Sequence, residues 1–136
     1  MANVMIVDDD LMLLTELGEG LVANGHRALL APEPDLALLI ASYEKIDIAF
    51  IDLVLPGIDG LELTRQLRQI HPDLPVVVIT SGAPGWTLAR AREMKVAAFL
   101  IKPFKARVIV DATAILIKRF GDVSVPNYVP VHHQKA

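Results

Sequence analysis

Four apolar runs in this chain each stop at side chains that handle charge. Met5-Ile6-Val7 stops at Asp8-Asp9-Asp10, and the run through Ile51 stops at Asp52, followed by Leu53-Val54-Leu55-Pro56-Gly57-Ile58-Asp59-Gly60. Val76-Val77-Val78-Ile79 stops at Thr80-Ser81-Gly82, and Phe99-Leu100-Ile101 stops at Lys102-Pro103. If the runs are parallel strands of one sheet, Asp8, Asp9, Asp52, Thr80 and Lys102 meet at its carboxyl edge, where ligands bind in doubly wound sheets. Carboxylates so close repel one another, and their proton affinities rise unless a cation sits among them. Hard oxygen ligands with positions left open suit Mg²⁺, which favours one or two carboxylates plus a phosphate. The Lys102 ammonium and Thr80 hydroxyl complete a cradle for phosphoryl oxygens. Asp52 then reads as a nucleophile that becomes an acyl phosphate. Phosphoryl transfer asks chiefly for positioning and charge neutralisation, which this set supplies.

The elements that must position these residues follow from the patterning. Strands are expected at 3–7, 27–31, 46–51, 75–79 and 97–101, with helices at 10–24, 33–44, 60–71, 85–95 and 104–120. The continuously apolar runs at 46–51 and 75–79 fit parallel strands covered on both faces. Right-handed crossovers then give an α/β, doubly wound sheet. Asn24-Gly25 fits a helix end, Pro34 a first helical turn, and His71-Pro72-Asp73 and Gly121 further stops. Gly18 and Gly20 inside the first helix each cost about 1 kcal/mol relative to alanine.

The chain has 136 residues, 53% apolar and 21% charged, which fits one packed domain. It contains no cysteine, so disulfides, thiolate metal sites and cysteine nucleophiles are excluded, in keeping with a reducing cytoplasm. A net charge of −3 gives no general footprint for nucleic acid. No apolar run approaches the roughly 18–20 residues of a membrane span, and three aspartates by position 10 do not suit a signal peptide. A soluble, cytoplasmic protein is expected.

In the order and separation of Val7-Asp8-Asp9-Asp10, Asp52-Leu53-Val54-Leu55-Pro56-Gly57 with Asp59-Gly60, Thr80-Ser81-Gly82 and Lys102-Pro103-Phe104, the chain closely resembles the CheY-like receiver domain of two-component response regulators. The resemblance covers about residues 2–120. It implies a flavodoxin-like (βα)5 fold with five parallel strands in the order 2-1-3-4-5, spanning 1–121. Residues 122–136, with Pro126 and Pro130, little periodicity and a polar end, read as a flexible tail or linker start. It implies that Asp52 takes a phosphoryl group from a histidine kinase or histidine phosphotransfer protein. Asp8 and Asp9 would hold Mg²⁺, with Asp52 and the backbone carbonyl of Val54. Thr80 would hydrogen-bond one phosphoryl oxygen and Lys102 pair with another. Thr80 and Phe99 would move together as the switch, reshaping the face of the fourth helix, fifth strand and fifth helix. The Lys102–Pro103 peptide is commonly cis in relatives. Such a domain catalyses only its own phosphorylation and dephosphorylation, and it does not itself contact nucleic acid or membrane. It stands alone or begins a larger regulator, and its output partner is not written in the sequence.

Several residues have plainer roles beside these. Asp10 and Asp59 fit helix caps. Trp86, at the start of the fourth helix, fits either a half-buried packing residue or a partner contact. His132-His133 lack the further ligands of a metal site. On the fifth helix, Val108, Ile109, Ala112, Ile115, Leu116 and Phe120 form a core stripe; a second stripe, Val110, Ala114 and Ile117, fits either deeper burial or a homodimer face. Val54, two residues past Asp52, is apolar and cannot position an attacking water. An aspartyl phosphatase or phosphotransferase would commonly place a general acid there, and a flavodoxin-like cofactor binder would not place acids where a phosphate loop belongs.

Overall fold

The structure, a computed structural model, describes residues 1–82, 85–118 and 125–131. Strands β1 (Asn3–Val7), β2 (Arg27–Ala31), β3 (Ile48–Asp52), β4 (Val76–Thr80) and β5 (Ala98–Ile101) alternate with helices α1 (Leu11–Ala23), α2 (Pro34–Tyr43), α3 (Gly60–Ile70), α4 (Gly85–Glu93) and α5 (Ala106–Lys118), and a last strand, β6, covers Tyr128–Pro130. The sheet order is β2-β1-β3-β4-β5-β6. β1 to β5 are mutually parallel, with Val7 beside Ile51, Asp52 beside Ile79, and Thr80 beside Ile101.

Both central strands are buried along their whole length, because helices cover both faces. On one face Leu14, Leu17 and Leu21 of α1 pack with Val108, Ile109 and Ala112 of α5 over Ile6, Phe50 and Ile79. On the other, Ala37 and Ala41 of α2, Leu61 and Leu67 of α3, and Ala91 of α4 cover Met5, Ile51 and Val78. The connection leaving β1 therefore crosses one face and that leaving β3 the other, which opens a crevice at their carboxyl ends.

Local chemistry fixes the boundaries. Asp10 caps α1 by accepting from the Leu13 N–H, and Asp59 caps α3 by accepting from the Glu62 N–H at 2.8 Å. Gly25, at φ +84°, carries the chain out of α1, and Pro34 opens α2. α4 stops two residues earlier than the expected 95, where Lys95 turns to φ +54°. The unfavourable Gly20 inside α1 has a packing reason: a Cβ there would sit 2.8 Å from the Ala106 Cβ, so its absence lets α1 approach α5.

The expected five-stranded sheet is extended to six strands among the described residues, and the expected flexible tail contributes the sixth. β6 runs antiparallel to β5, pairing Phe99 with Val129 and Leu100 with Tyr128. The pairing is bracketed by Ile101 N–H donating to the Asn127 carbonyl at 2.9 Å and Val131 N–H donating to the Ala97 carbonyl at 3.0 Å. Pro130 is tolerated at the end of this edge strand because its missing N–H would face outward. On α5, Ile115 and Leu116 pack partly buried on the core. The second stripe is only partly covered within the molecule: Val110 packs on the α1 side, Ala114 is half-buried and Ile117 is exposed. Phe120, Gly121, His132 and His133 lie outside the described residues. No helix among the described residues is long and apolar enough to cross a membrane.

Candidate functional site

The carboxyl ends of β1, β3, β4 and β5 bring together the residues the sequence singled out. Oxygens of Asp8, Asp9 and Asp52 lie within 4.8 Å of one another; Asp8 and Asp52 are buried and Asp9 is exposed. The Lys102 ammonium crosses to them from the end of β5, 2.8 Å from Asp52 Oδ2 and 2.9 Å from Asp8 Oδ2. Asp52 Oδ1 accepts from the Val54 N–H at 2.9 Å, and Asp8 Oδ1 accepts from the Asp10 N–H at 2.9 Å. Thr80 Oγ1 accepts from the Gly82 N–H at 3.0 Å, which leaves its own proton free to be aimed elsewhere. Phe99 is turned into the core on the α4 side. The Lys102–Pro103 peptide is cis.

Electrostatics show what the pocket demands. Burial raises the Asp8 pKa above its ordinary value, and the charge of Asp52 adds to this; the Asp10 N–H and Lys102 only partly offset them. Burial alone pulls the Lys102 ammonium down, but the neighbouring carboxylates of Asp52 and Asp8 prevail and raise its pKa. Asp8 Oδ2 is buried without a hydrogen-bond donor in line: the nearby ammonium gives it an ion-pair contact, not an aligned hydrogen bond. A buried carboxylate oxygen in that condition, beside two further carboxylates, fits the ligand set of a hard divalent cation.

The chain matches the family described as the response regulator receiver domain over residues 4–114. It belongs to that family. Receiver domains of two-component response regulators work in phosphorelay signalling, and the three aspartates here stand close enough together that they could hold a metal ion. The receiver is 31% identical over 113 residues to the response regulator protein FleR of Pseudomonas aeruginosa, covering 83% of this chain and 24% of that one. It is also similar to the alkaline phosphatase synthesis transcriptional regulatory protein PhoP of Bacillus subtilis, 29% identical, covering 92% of this chain and 52% of that one. The chain thus spans about a quarter to a half of the curated relatives it matches. Among solved structures, a Burkholderia pseudomallei response regulator containing a phosphorylated aspartic acid, calcium ion and citrate superposes with a TM-score of 0.73 at 26% identity, over 91% of this chain and 78% of that one.

Other residues of this receiver shape the site in ways the sequence did not announce. Gly60 opens α3 directly against β3, its N–H donating to the Leu53 carbonyl at 2.7 Å. A Cβ there would clash with the Asp52 carbonyl oxygen and lie 2.9 Å from its carbon. Gly57, at φ +88°, turns the intervening loop back, so that Val54 bridges to Asp59. Asp59 is more than a cap, because its Oδ2 also accepts from Arg90 of α4 at 3.1 Å. That guanidinium lies 5.9 Å from the Trp86 ring centre. Trp86 is 62% exposed rather than half-buried, since Arg90 rather than the core takes its face. With Val54, Leu55 and Ile58 it lines an apolar pocket of about 530 Å³ between the β3–α3 loop and the start of α4. The Asp-Gly pair hinted at Gly60; no local signal links Asp59 to a residue 31 positions away.

Proposed function

We propose that Asp52 accepts a phosphoryl group from the histidine of a kinase or phosphotransfer protein and that the acyl phosphate switches the face formed by α4, β5 and α5. The observation that carries this reading is the setting of the Asp52 carboxylate. It ends β3 with one oxygen on the Val54 N–H and the other on the Lys102 ammonium, beside Asp8 and Asp9. An Asp52 oxygen attacks phosphorus as the bond from phosphorus to the donor imidazole breaks, its electron pair returning to the ring nitrogen. Asp8, Asp9, Asp52 and the Val54 carbonyl would hold Mg²⁺, which supplies charge neutralisation at the phosphoryl oxygens. The Lys102 ammonium, already at Asp52, pairs with one phosphoryl oxygen, and the Thr80 hydroxyl donates to another. Movement of Thr80 and Phe99 then carries the change to the output face, and a partner preferring that form draws the equilibrium by its differential affinity.

The Burkholderia relative with its phosphorylated aspartic acid and calcium ion supports the assignment. Under this reading the domain acts only on its own carboxylate, in the cytoplasm, and passes the signal to an output partner or an attached effector domain. A homodimer through α5 has narrower support, because Ile117 is the one exposed residue of its second apolar stripe and Val110 packs partly on the core. Incubation with a small phosphodonor, with Mg²⁺ or with chelator, tests the reading by intact mass and donor consumption together. One phosphoryl adduct per chain that requires the cation is expected. Steady donor turnover without an adduct would contradict it.

A further inference from the structure

Asn127, the residue before β6, reaches the backbone that carries Lys102. Its side-chain amide donates to the Ile101 carbonyl at 2.7 Å and to the Pro103 carbonyl at 2.8 Å. These residues flank Lys102 on either side, so both protons of one NH₂ group are used to grip the start of the β5–α5 connection. The Asn127 carbonyl accepts in turn from the Ile101 N–H at 2.9 Å, and the Lys102 N–H donates to the Thr80 carbonyl at 2.9 Å. Lys102 is thereby held between β4 on one side and the C-terminal segment on the other. Asn127 has φ +64°, a left-handed conformation that asparagine tolerates far better than most residues. The segment is anchored independently of this contact by the β6 pairing and by buried Val125 and Val131.

We infer that Asn127 is a positioning residue for Lys102, fixing the backbone on both sides of it so that the ammonium meets Asp52 and Asp8 together. The geometry stands by itself; its effect on phosphoryl acceptance rests on the function proposed above. Lys102 reaches two carboxylates at 2.8 and 2.9 Å from a short connection, so the placement of its backbone bears on whether both contacts form together. Misplacement of a reacting group by an ångström can cost about a hundredfold in rate.

The full chain carrying Asn127→Asp or Asn127→Gly provides the test. Asp keeps the shape and tolerates the left-handed backbone, but it turns an acceptor toward two carbonyls. Gly fits the backbone and removes both bonds. Ile48→Val, a buried change at the opposite end of the sheet, serves as the control for general loosening. The readouts are the Lys102 ammonium signal in ¹H–¹⁵N NMR, assigned by its loss in Lys102→Ala, and the rate of phosphorylation by a small phosphodonor at saturating Mg²⁺. Both Asn127 variants are expected to shift or broaden the ammonium signal and to slow phosphorylation roughly tenfold, while Ile48→Val changes neither. Unchanged signal and rate in both Asn127 variants, or equal losses in Ile48→Val, would overturn the inference. If the signal responds as expected but the wild-type chain accepts no phosphoryl group, Asn127 positions Lys102 and the proposed function fails instead.

Discussion

Asp8 is electrostatically strained by its burial at the site. Burial, with the Asp52 charge added, raises its pKa in the folded chain. Between the ordinary carboxylate range and that raised value the native state holds a proton the unfolded chain has released, so the Asp8 contribution to stability falls as pH rises through this window. Lys102 is also raised, so its contribution is complete below the ordinary lysine value of 10.5 and is lost only as pH rises through its higher folded pKa. At neutral pH without divalent cation, Asp8→Asn is therefore expected to raise the melting temperature by a few degrees, an increment that shrinks in acid. The same substitution should abolish stabilisation by Mg²⁺, which acts on the wild type by binding the folded form. Thermal melts with chelator and with Mg²⁺ check both; a lower melting temperature in chelator would contradict the account. Val54 is 76% exposed beside Asp52 and offers no hydrogen bond to an attacking water. The acyl phosphate is accordingly expected to outlast seconds in Mg²⁺ buffer and to shorten in Val54→Asn, as followed by intact mass over time. Asp8, Asp9, Asp52, Thr80 and Lys102 were legible because each terminates an apolar run. Asn127 was not, because its partners are backbone carbonyls 24 and 26 residues away.

β3, α3 and α4 form the frame in which Asp52 is held. Gly60 lets α3 begin in contact with the end of β3, so Gly60→Ala must push the helix off the strand or distort the Asp52 backbone. Overpacking of this kind costs about 1–3 kcal/mol, which urea denaturation would show, and phosphorylation should slow with it. α4 is tied to this frame by Asp59–Arg90, an ion pair whose side chains are 41% and 39% exposed. Exposed pairs contribute at most about 1 kcal/mol. Arg90→Ala should thus change stability little while speeding amide exchange in α4 and altering the Trp86 fluorescence. Five strands and five helices could be read from the chain, because parallel strands covered on both faces leave uninterrupted apolar runs. β6 could not, because an edge strand needs neither alternation nor freedom from proline. The early end of α4 was hidden for a related reason: the left-handed turn at Lys95 carries no glycine to announce it.

In the whole molecule, the expected order 2-1-3-4-5 holds for the parallel strands, and β6 occupies the outer edge of β5. That edge belongs to the face through which the signal is proposed to leave. Its carbonyl and N–H groups are engaged by the chain's own C-terminal segment, which blocks strand addition by another molecule at that place. Phosphorylation that draws Lys102 toward a phosphoryl oxygen must act back on the segment that steadies Lys102, since coupling between sites is reciprocal. Amide exchange at Ile101 and Val131, whose N–H groups bracket the β5–β6 pairing, is expected to change on phosphorylation in the wild-type chain. Unchanged exchange at both would show that β6 is a fixed part of the sheet.

The central claim is that Asp52 takes the phosphoryl group. Wild-type chain and Asp52→Asn can be treated with a small phosphodonor and Mg²⁺, reduced with borohydride, which converts an aspartyl phosphate to homoserine, and mapped by peptide mass. Homoserine at position 52 in the wild type and no adduct in Asp52→Asn is the predicted result. A phosphoryl group on another residue, or an equal adduct in Asp52→Asn, would contradict it.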